Sequence, residues 1–493
     1  MKILLVYPVC PETFWGFRRA LRFISKKAVM PPLGLLTVAS MLPKEWEKRL
    51  IDMNVTQLKD SDLAWADYVF VSAMVIQRQG VRQLIERCQK AGKKIVAGGP
   101  LFTSEPENFD DIDYLVLNEG EITLPQFLDD LAQGNPKHIY TSTQRPDLSK
   151  TPFPAWELID KKKYSTMPIQ LSRGCPYDCE FCDIVTLFGH KQRMKSKDRI
   201  IGELDALYQT RWKGGVALAD DNFISNKSRL KKEILPAIIE WMRKHKHPFA
   251  FSAEVSINLA DDEELMRMLI QAGFDVLFVG IETPNEKSLA ECNKIPNKGR
   301  DLLAAAKKMQ RFGFVVDGGF ILGFDNDDES IFFRIVKFIQ QSGIVTAMVG
   351  LLNAPRGSKL YERLRNEGRL LTEKEIVGDN TSFSTNFMPK MKIEPLVQGY
   401  KNVLERLYSA KAYYARVGEF FKNYKPPKRK PTGFHFYYIK AIFKSFLTIG
   451  VFKEERYHFW HLMFWSLFRN PRVFPLALRF AIYRLHFSDI AGL

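Results

Sequence analysis

Leu171-Ser-Arg-Gly-Cys175-Pro-Tyr-Asp-Cys179-Glu-Phe-Cys182-Asp183 places three of the chain's six cysteines within eight residues, in a three-then-two spacing. Thiolates are the preferred ligands of iron–sulfur clusters, and three on one loop can hold three corners of a four-iron cluster and leave the fourth iron open. An open coordination position is where a metal centre does chemistry. Two plainer readings stand beside this one. Structural zinc takes four protein ligands, and only the more distant His190 offers itself as the fourth. A disulfide needs an oxidising compartment, whereas Met1-Lys2-Ile3-Leu4-Leu5-Val6 runs straight into a strand pattern with nothing like a secretory signal. The ligand count favours the cluster.

Outward from this stretch, strand and helix patterns alternate on both sides. On the N-terminal side Lys2 to Tyr7, Arg49 to Val55, Tyr68 to Ala73, Lys94 to Ala97 and Tyr114 to Leu117 read as strands, with helical spacing at Leu33 to Leu42 and Val81 to Ala91. That is a parallel sheet wound with helices, which takes its ligand beyond the carboxyl ends of the strands. The loops there carry Pro31-Pro32-Leu33-Gly34, Asp52-Met53-Asn54, Ser72-Ala73-Met74-Val75-Ile76-Gln77, Gly98-Gly99-Pro100 and Asn118-Glu119-Gly120-Glu121. Glycine pairs let backbone approach a bulky ligand, although any one Gly-Gly fits an ordinary turn as well. Gly134 to Trp156, polar and punctuated by prolines, reads as a linker.

Beyond the linker, strands at Pro168 to Ser172, Gly215 to Ala219, Ala250 to Val255, Val276 to Gly280, Val315 to Leu322 and Ala347 to Leu352 alternate with helices near Lys197 to Tyr208, Arg229 to Lys244, Glu263 to Ala272, Arg300 to Phe312 and Glu329 to Ser342. Six such units are too few to close an eight-stranded barrel. The strand ends hold Asp220-Asp221-Asn222, then Glu254, Ser256 and Asn258, then Gly280-Ile281-Glu282-Thr283. Carboxylates there suit charge-assisted hydrogen bonds to a ligand, with helix capping as the alternative for Asp221 and Thr283. Gly318-Gly319 and Gly323 permit close approach or simply turns, and Arg356 faces either a carboxylate or solvent. Cys88 reads as core, Cys10 as a residue near the first strand's ligand edge and Cys292 as a bystander.

With 493 residues the chain has room for two or three cores, and six cysteines in that length argue for a reducing compartment. The net charge of +16 is concentrated at the end: Lys425 to Leu493 holds twelve Lys and Arg against three Asp and Glu, so +9 lies there and +7 in the first 424 residues. No stretch approaches the ~18 uninterrupted apolar residues of a spanning helix, so a cytoplasmic location is expected, with peripheral contact at the inner membrane face. After Glu367 a helix-leaning region with Tyr400, Tyr408, Tyr413-Tyr414 and Arg416 either closes the barrel mouth or packs as a layer. A basic break from Lys425 to Pro431 follows. From Phe434 on, Phe443, Phe446, Phe452, Phe459, Trp460, Phe464, Trp465, Phe468, Phe474 and Phe480 crowd between basic residues. That composition suits an anionic membrane surface; packing within the chain is the other reading, and nucleic acid is disfavoured because no recognition module is visible.

The triplet, with Phe181 before its last cysteine and Arg173-Gly174 ahead of its first, resembles the radical S-adenosylmethionine enzymes. The resemblance implies a partial six-unit barrel over 165–366 and a 4Fe-4S cluster on Cys175, Cys179 and Cys182. Its open iron would chelate S-adenosylmethionine, cleaved by one electron to a 5′-deoxyadenosyl radical. Phe181, Asp220, Asp221, Asn222, Glu254, Ser256, Gly280 and Glu282 would then face that cofactor. The ordered loops of the first ~130 residues resemble the cobalamin domain preceding the radical domain in a large subfamily. This implies a Rossmann-like domain over 1–133, a linker over 134–164, and cobalamin contacts at Pro32, Leu33, Gly34, Asn54, Ser72, Met74, Gln77, Gly98, Gly99, Pro100, Glu119 and Glu121. The first histidine is His138, beyond the sheet, so cobalt would be bound without histidine below it.

With a helical extension over 367–493, the arrangement is most similar to the group containing hopanoid C-2 methylases. Tyr7-Pro8, Thr13-Phe14-Trp15, the run Pro-Pro-Leu-Gly-Leu-Leu-Thr-Val from Pro31 and Leu187-Phe188-Gly189 fit that group. The resemblance implies methyl transfer from methylcobalamin to an unactivated carbon, of a lipid or other small molecule, with flavodoxin or ferredoxin as electron donor. Cobalamin-dependent radical cyclases or oxidases without methyl transfer, and a non-catalytic lipid- or cobalamin-binding protein, remain the alternatives.

Overall fold

The computed structural model describes residues 1–371, 382–427 and 436–492, with side chains from 439 onward in the last segment. Residues 428 to 431 of the basic break, and Phe434, lie outside the described residues. The first sheet is parallel, in the order β2-β1-β3-β4-β5-β6, from β1 (Lys2–Tyr7), β2 (Glu47–Asp52), β3 (Tyr68–Ser72), β4 (Lys94–Gly98), β5 (Tyr114–Val116) and β6 (Ile139–Tyr140). Ile3 to Val6 of β1 are fully buried, as a central strand covered on both faces requires. The linker expected from Gly134 therefore begins with a sixth strand. Its two residues are too few for a periodic signal, and Tyr140 is fixed by its hydroxyl donating to Asp130 at 2.8 Å.

The second sheet is also parallel, in the order β14-β13-β12-β11-β10-β7: β7 (Thr166–Ile169), β10 (Gly214–Leu218), β11 (Phe249–Val255), β12 (Phe274–Glu282), β13 (Val315–Leu322) and β14 (Ala347–Leu351). It is a six-stranded partial barrel. The strand expected to run to Ser172 stops at Ile169. Ser172 and Arg173 instead form β8, antiparallel to β9 (Arg193–Met194), so that a short hairpin closes the base of the cysteine loop. The helix expected from Arg229 opens with a π-helical turn, Leu230–Ile234, ahead of Pro236, which has no N–H to offer the preceding turn.

The described part of the extension after Glu367 packs on the second sheet. Tyr400 and Tyr408 donate their hydroxyls to the carbonyls of Val349 (2.9 Å) and Ala347 (2.5 Å) on the edge strand β14, which supplies partners the open sheet edge lacks. The helix Phe474–Ile490 packs Phe487 on Phe14 at 4.5 Å between ring centroids, and His486 meets the Phe14 carbonyl at 2.9 Å. The adjacent Trp15 enters the barrel lumen, its indole N–H 3.0 Å from Met348 Sδ and its ring beside Phe278. Among the tail aromatics Phe459, Phe480 and Phe487 are buried, so packing within the chain accounts for these. Among the described residues no helix is long and apolar enough to cross a membrane.

Candidate cluster and cofactor site

The cysteine loop is fastened at both ends. Asp220, buried at the end of β10, accepts hydrogen bonds from the Leu171 amide (2.8 Å) and the Ser172 hydroxyl (2.5 Å), and Asp221 accepts one from the Gly174 amide at 2.7 Å. Gly174 has φ +91, and a Cβ there would lie 2.7 Å from the Lys191 carbonyl oxygen, so only glycine fits ahead of Cys175. At the other end the Glu180 amide donates to the Cys292 carbonyl (3.0 Å), its carbonyl accepts from the Leu360 amide (2.8 Å), and its carboxylate is paired with Arg363 at 2.6 Å. Phe181 packs edge-on against Phe324. Asp220 thus anchors the loop through contacts that occupy its carboxylate, which corrects the expectation of a cofactor contact there.

Cys175, Cys179 and Cys182 are half-buried, and burial raises their thiols, Cys182 up to about 12. Left as thiols they are inert; a bound metal replaces the proton. Among the described residues no three His, Cys, Asp or Glu side chains come together around one ion, and His190 is exposed. In a cluster each cysteine binds its own corner iron. Cys292 is buried with its thiol turned to the Leu289 carbonyl.

Above the cysteine loop stands a charged mouth. Glu282, at φ +63, forms an ion pair of 2.6 Å with Lys294, whose ammonium lies 5.8 Å from the Phe181 ring and interacts electrostatically with Cys179 and Cys182. Burial works against that ammonium, and Glu282, with Cys179 and Cys182 beside it, raises its pKa overall and holds Lys294 protonated. A Cβ at Gly280 would collide with both partners, so the glycine makes room for the pair. Tyr177 of the cysteine loop joins a polar chain through Asn258 (3.0 Å) and Ser256 (2.8 Å) to Asn222 (3.3 Å). Glu254 differs from its neighbours: its side chain is exposed at the end of β11, and among the described residues none donates to it.

Burial, then the neighbouring Asp221, pushes the Glu254 carboxyl from 4.5 up to about 7. A carboxyl raised on folding keeps its proton longer in the folded protein, so its contribution to stability falls as pH rises from about 4.5 through about 7. Glu254→Gln is therefore expected to raise the thermal midpoint at pH 8 and to leave it unchanged near pH 4. An equal effect at both values in a melting series would show that Glu254 does not carry this charge.

Lys294 was not legible as a site residue. It sits in the irregular segment Cys292-Asn293-Lys294, where no periodicity or motif marks it. Arg363, which grips the loop from 183 residues away, gave no signal either.

The ligand edge of the first sheet faces this mouth. Glu119 is ringed by Arg173 (2.8 Å), Arg193 (2.8 Å) and Arg145 (3.2 Å), and Glu121 is bound by Arg173 (2.8 Å) and the Thr151 hydroxyl (2.8 Å). Both were expected to contact cobalamin. They instead join the two sheets through the residue two places before Cys175, because guanidinium groups take up their oxygens. Arg356, beyond β14, pairs with Glu107 of the first domain.

Asn54 is likewise committed to the Cys10 amide (2.8 Å) and the Pro8 carbonyl (3.1 Å), and buried Gln77 to the Pro8 carbonyl (2.7 Å) and the Met74 amide (2.9 Å). These two hold the loops in place and are corrected as direct contacts.

The same edge fits a large apolar macrocycle. Val9, Met30 and Met74, on loops at this edge, are exposed large apolar side chains, which gives a corrin a surface to lie on. Gly99 (φ +96) brings its backbone so close to β3 that a Cβ would stand 2.5 Å from Ser72 Oγ, and Gly34 approaches the same hydroxyl. Gly98 is closed over by the Val116 carbonyl. Pro32 precedes the helix Leu33–Met41, and Pro100 opens the helix Pro100–Ser104. His138 accompanies Asp113, ahead of β5 on the opposite edge, and does not reach this face.

Comparison with known proteins agrees with this architecture. The B12 binding domain family matches residues 21–128, the Radical SAM superfamily 169–339, and a domain of unknown function (DUF4070) 358–493. A protein of Synechocystis sp. described as an uncharacterized methyltransferase is 37% identical over 99% of this chain and 91% of its own length. The chain belongs to the cobalamin-dependent radical S-adenosylmethionine methyltransferase family. It is an enzyme, and its cofactors are a 4Fe-4S cluster, S-adenosylmethionine and cobalamin. The hopanoid C-2 methylase of Rhodopseudomonas palustris is 33% identical over 84% of this chain and 78% of its own. In fold the chain is similar to the radical enzyme OxsB with aqua-cobalamin bound, at a TM-score of 0.63 and 15% identity over 100% of this chain and 79% of that one. The methyltransferase TsrM of Kitasatospora setae, with cobalamin and a [4Fe-4S] cluster, aligns at 0.56 and 13% identity over 74% and 78%.

Proposed function

We propose that this enzyme transfers a methyl group to an unactivated carbon of a polycyclic lipid of the hopanoid type. The observation that carries the reading is the Glu119 and Glu121 bridge to Arg173, which turns the cobalamin edge and the cysteine loop toward one space. When bound, the three cofactors supply a methyl donor and a radical able to remove hydrogen from carbon. The polypeptide binds, orients and excludes water. Glu254, without a protein partner, is placed to accept from the amine or ribose of S-adenosylmethionine, and Lys294 to meet its carboxylate. The lumen beyond, lined by Trp15, Phe278 and Met348, suits an apolar substrate. The relative named a hopanoid C-2 methylase supports the lipid class. A small electron-transfer protein of the flavodoxin or ferredoxin kind would reduce the cluster.

Methyl-labelled S-adenosylmethionine, given to the reconstituted enzyme with extracted lipids, is expected to leave label in a polycyclic hydrocarbon. Label found only in a porphyrin, or consumption of the cofactor with no methylated product, overturns the reading.

A further inference from the structure

Among the described residues, nine of the eighteen exposed large apolar side chains fall between Ile439 and Phe468. They follow helix phase. Ile439, Phe443 and Leu447 lie at four-residue steps on the helix Phe436–Thr448, whose Ala441 and Ser445 are buried. Tyr457, Phe464 and Phe468 share a face of the helix Arg456–Arg469, while Phe459, Leu462, Met463 and Ser466 point inward. Trp460 ties the two together. Its indole donates to the Gly450 carbonyl at 2.9 Å, and its ring lies 5.1 Å from Phe446 on the first helix and 5.4 Å from Phe464 on its own, stacked on the latter. Between the helices the Val451-Phe452 turn projects, with Phe452 80% exposed.

Lys440, Lys453, Arg456, Arg469 and Arg472 lie along these helices and their flanks, against Glu454 and Glu455, and Glu455 faces Arg484 at 3.9 Å. The helices of 13 and 14 residues are too short to span a bilayer.

We propose that this two-helix face docks the enzyme on an anionic lipid bilayer, its aromatic side chains entering the headgroup layer and its basic residues meeting phosphates. An apolar face with cationic flanks matches such a surface and does not match a neutral partner. The inner side of the helix pair holds the rest of the molecule: Lys444 caps the Arg22 carbonyl at 3.2 Å, in the segment leading from the Phe14-Trp15 turn. The docking surface therefore stands one layer from the barrel lumen. The inference rests on this surface and is independent of the substrate, because binding is read without turnover.

The test is flotation of the full-length enzyme with vesicles of phosphatidylglycerol and phosphatidylcholine, and with phosphatidylcholine alone. Wild type is expected to float with the anionic vesicles and to be released by high salt. The combination Phe443→Glu, Phe464→Glu and Phe468→Glu should weaken partitioning by ~10-fold or more per side chain. Trp at the same three positions should preserve binding, with cobalamin uptake and melting midpoint reporting the fold of each variant. Absence of wild-type flotation overturns the proposal, as does loss of binding in the Trp variant while its fold is intact. So does a lipid-free dimer that the Glu variant dissociates, since a second copy would then cover the face.

Discussion

Cys179→Ala is expected to abolish reductive cleavage of S-adenosylmethionine while cobalamin binding survives. Cys179 is the middle cysteine of a loop pinned by Asp220 and Asp221 at one end and by Arg363, Leu360 and Cys292 at the other. Those anchors persist in the variant, so the loop keeps its place and loses only a thiolate. Removing outer partners of a metal site typically costs ~10–100-fold; losing one of three direct ligands should exceed that and bring 5′-deoxyadenosine to background. The residues matched by the B12 binding domain family, 21–128, lie apart from the cysteine loop, so the visible absorption of bound cobalamin should be retained on gel filtration. Residual cleavage in Cys179→Ala would remove the cluster assignment, and loss of cobalamin would show that the two sites are one folding unit.

The second large effect is on stability. Lys294 and Glu282 form a buried pair at 2.6 Å with side chains 16% and 8% exposed. Taking away one partner leaves the other charge in low dielectric, a change of ~3–5 kcal/mol in the unfavourable direction, whereas replacing both with neutral groups of similar size is close to neutral. Lys294→Met should therefore lower the barrel's unfolding midpoint sharply, and Lys294→Met with Glu282→Gln should restore most of it. Glu282 also sits at positive φ in a strand-end bulge, a conformation held by its surroundings and of the kind found at functional sites. If Lys294→Met melts like wild type, the pair is solvated and is not part of a buried mouth. The double variant should still bind S-adenosylmethionine weakly, since both charges flanking the open side of the cysteine loop are gone.

Strands were legible where an apolar run of four residues or more marked them, whereas the helices Gly120–Ala132 and Lys359–Asn366 were not foreseen. The longer strands of both sheets follow from such runs, and β6, β8 and β9, two residues each, do not. The cysteine loop was legible because its chemistry is local. The carboxylates were not. Asp220 and Glu254 look alike in sequence, both closing an apolar strand, yet Asp220 meets two donors, from Leu171 and Ser172, while Glu254 is exposed. Which fate befalls each depends on partners up to 49 residues away. Glu119 and Glu121 lie on a ligand-type loop and still spend their charge on Arg173, because a second domain brings guanidinium groups to that edge. The tail divides in the same way: Phe459 and Phe464 are five residues apart on one helix, one buried and the other 53% exposed, and only the neighbouring helix decides which face is inside.

Radical chemistry here requires that the protein supply three ligands to a four-iron cluster and leave one iron to S-adenosylmethionine. Electron paramagnetic resonance of the anaerobically reconstituted, reduced enzyme, recorded before and after adding that cofactor, tests this most directly. The expected result is a four-iron signal whose g values shift when S-adenosylmethionine binds. A signal indifferent to the cofactor, or metal analysis giving zinc in place of iron, would contradict it.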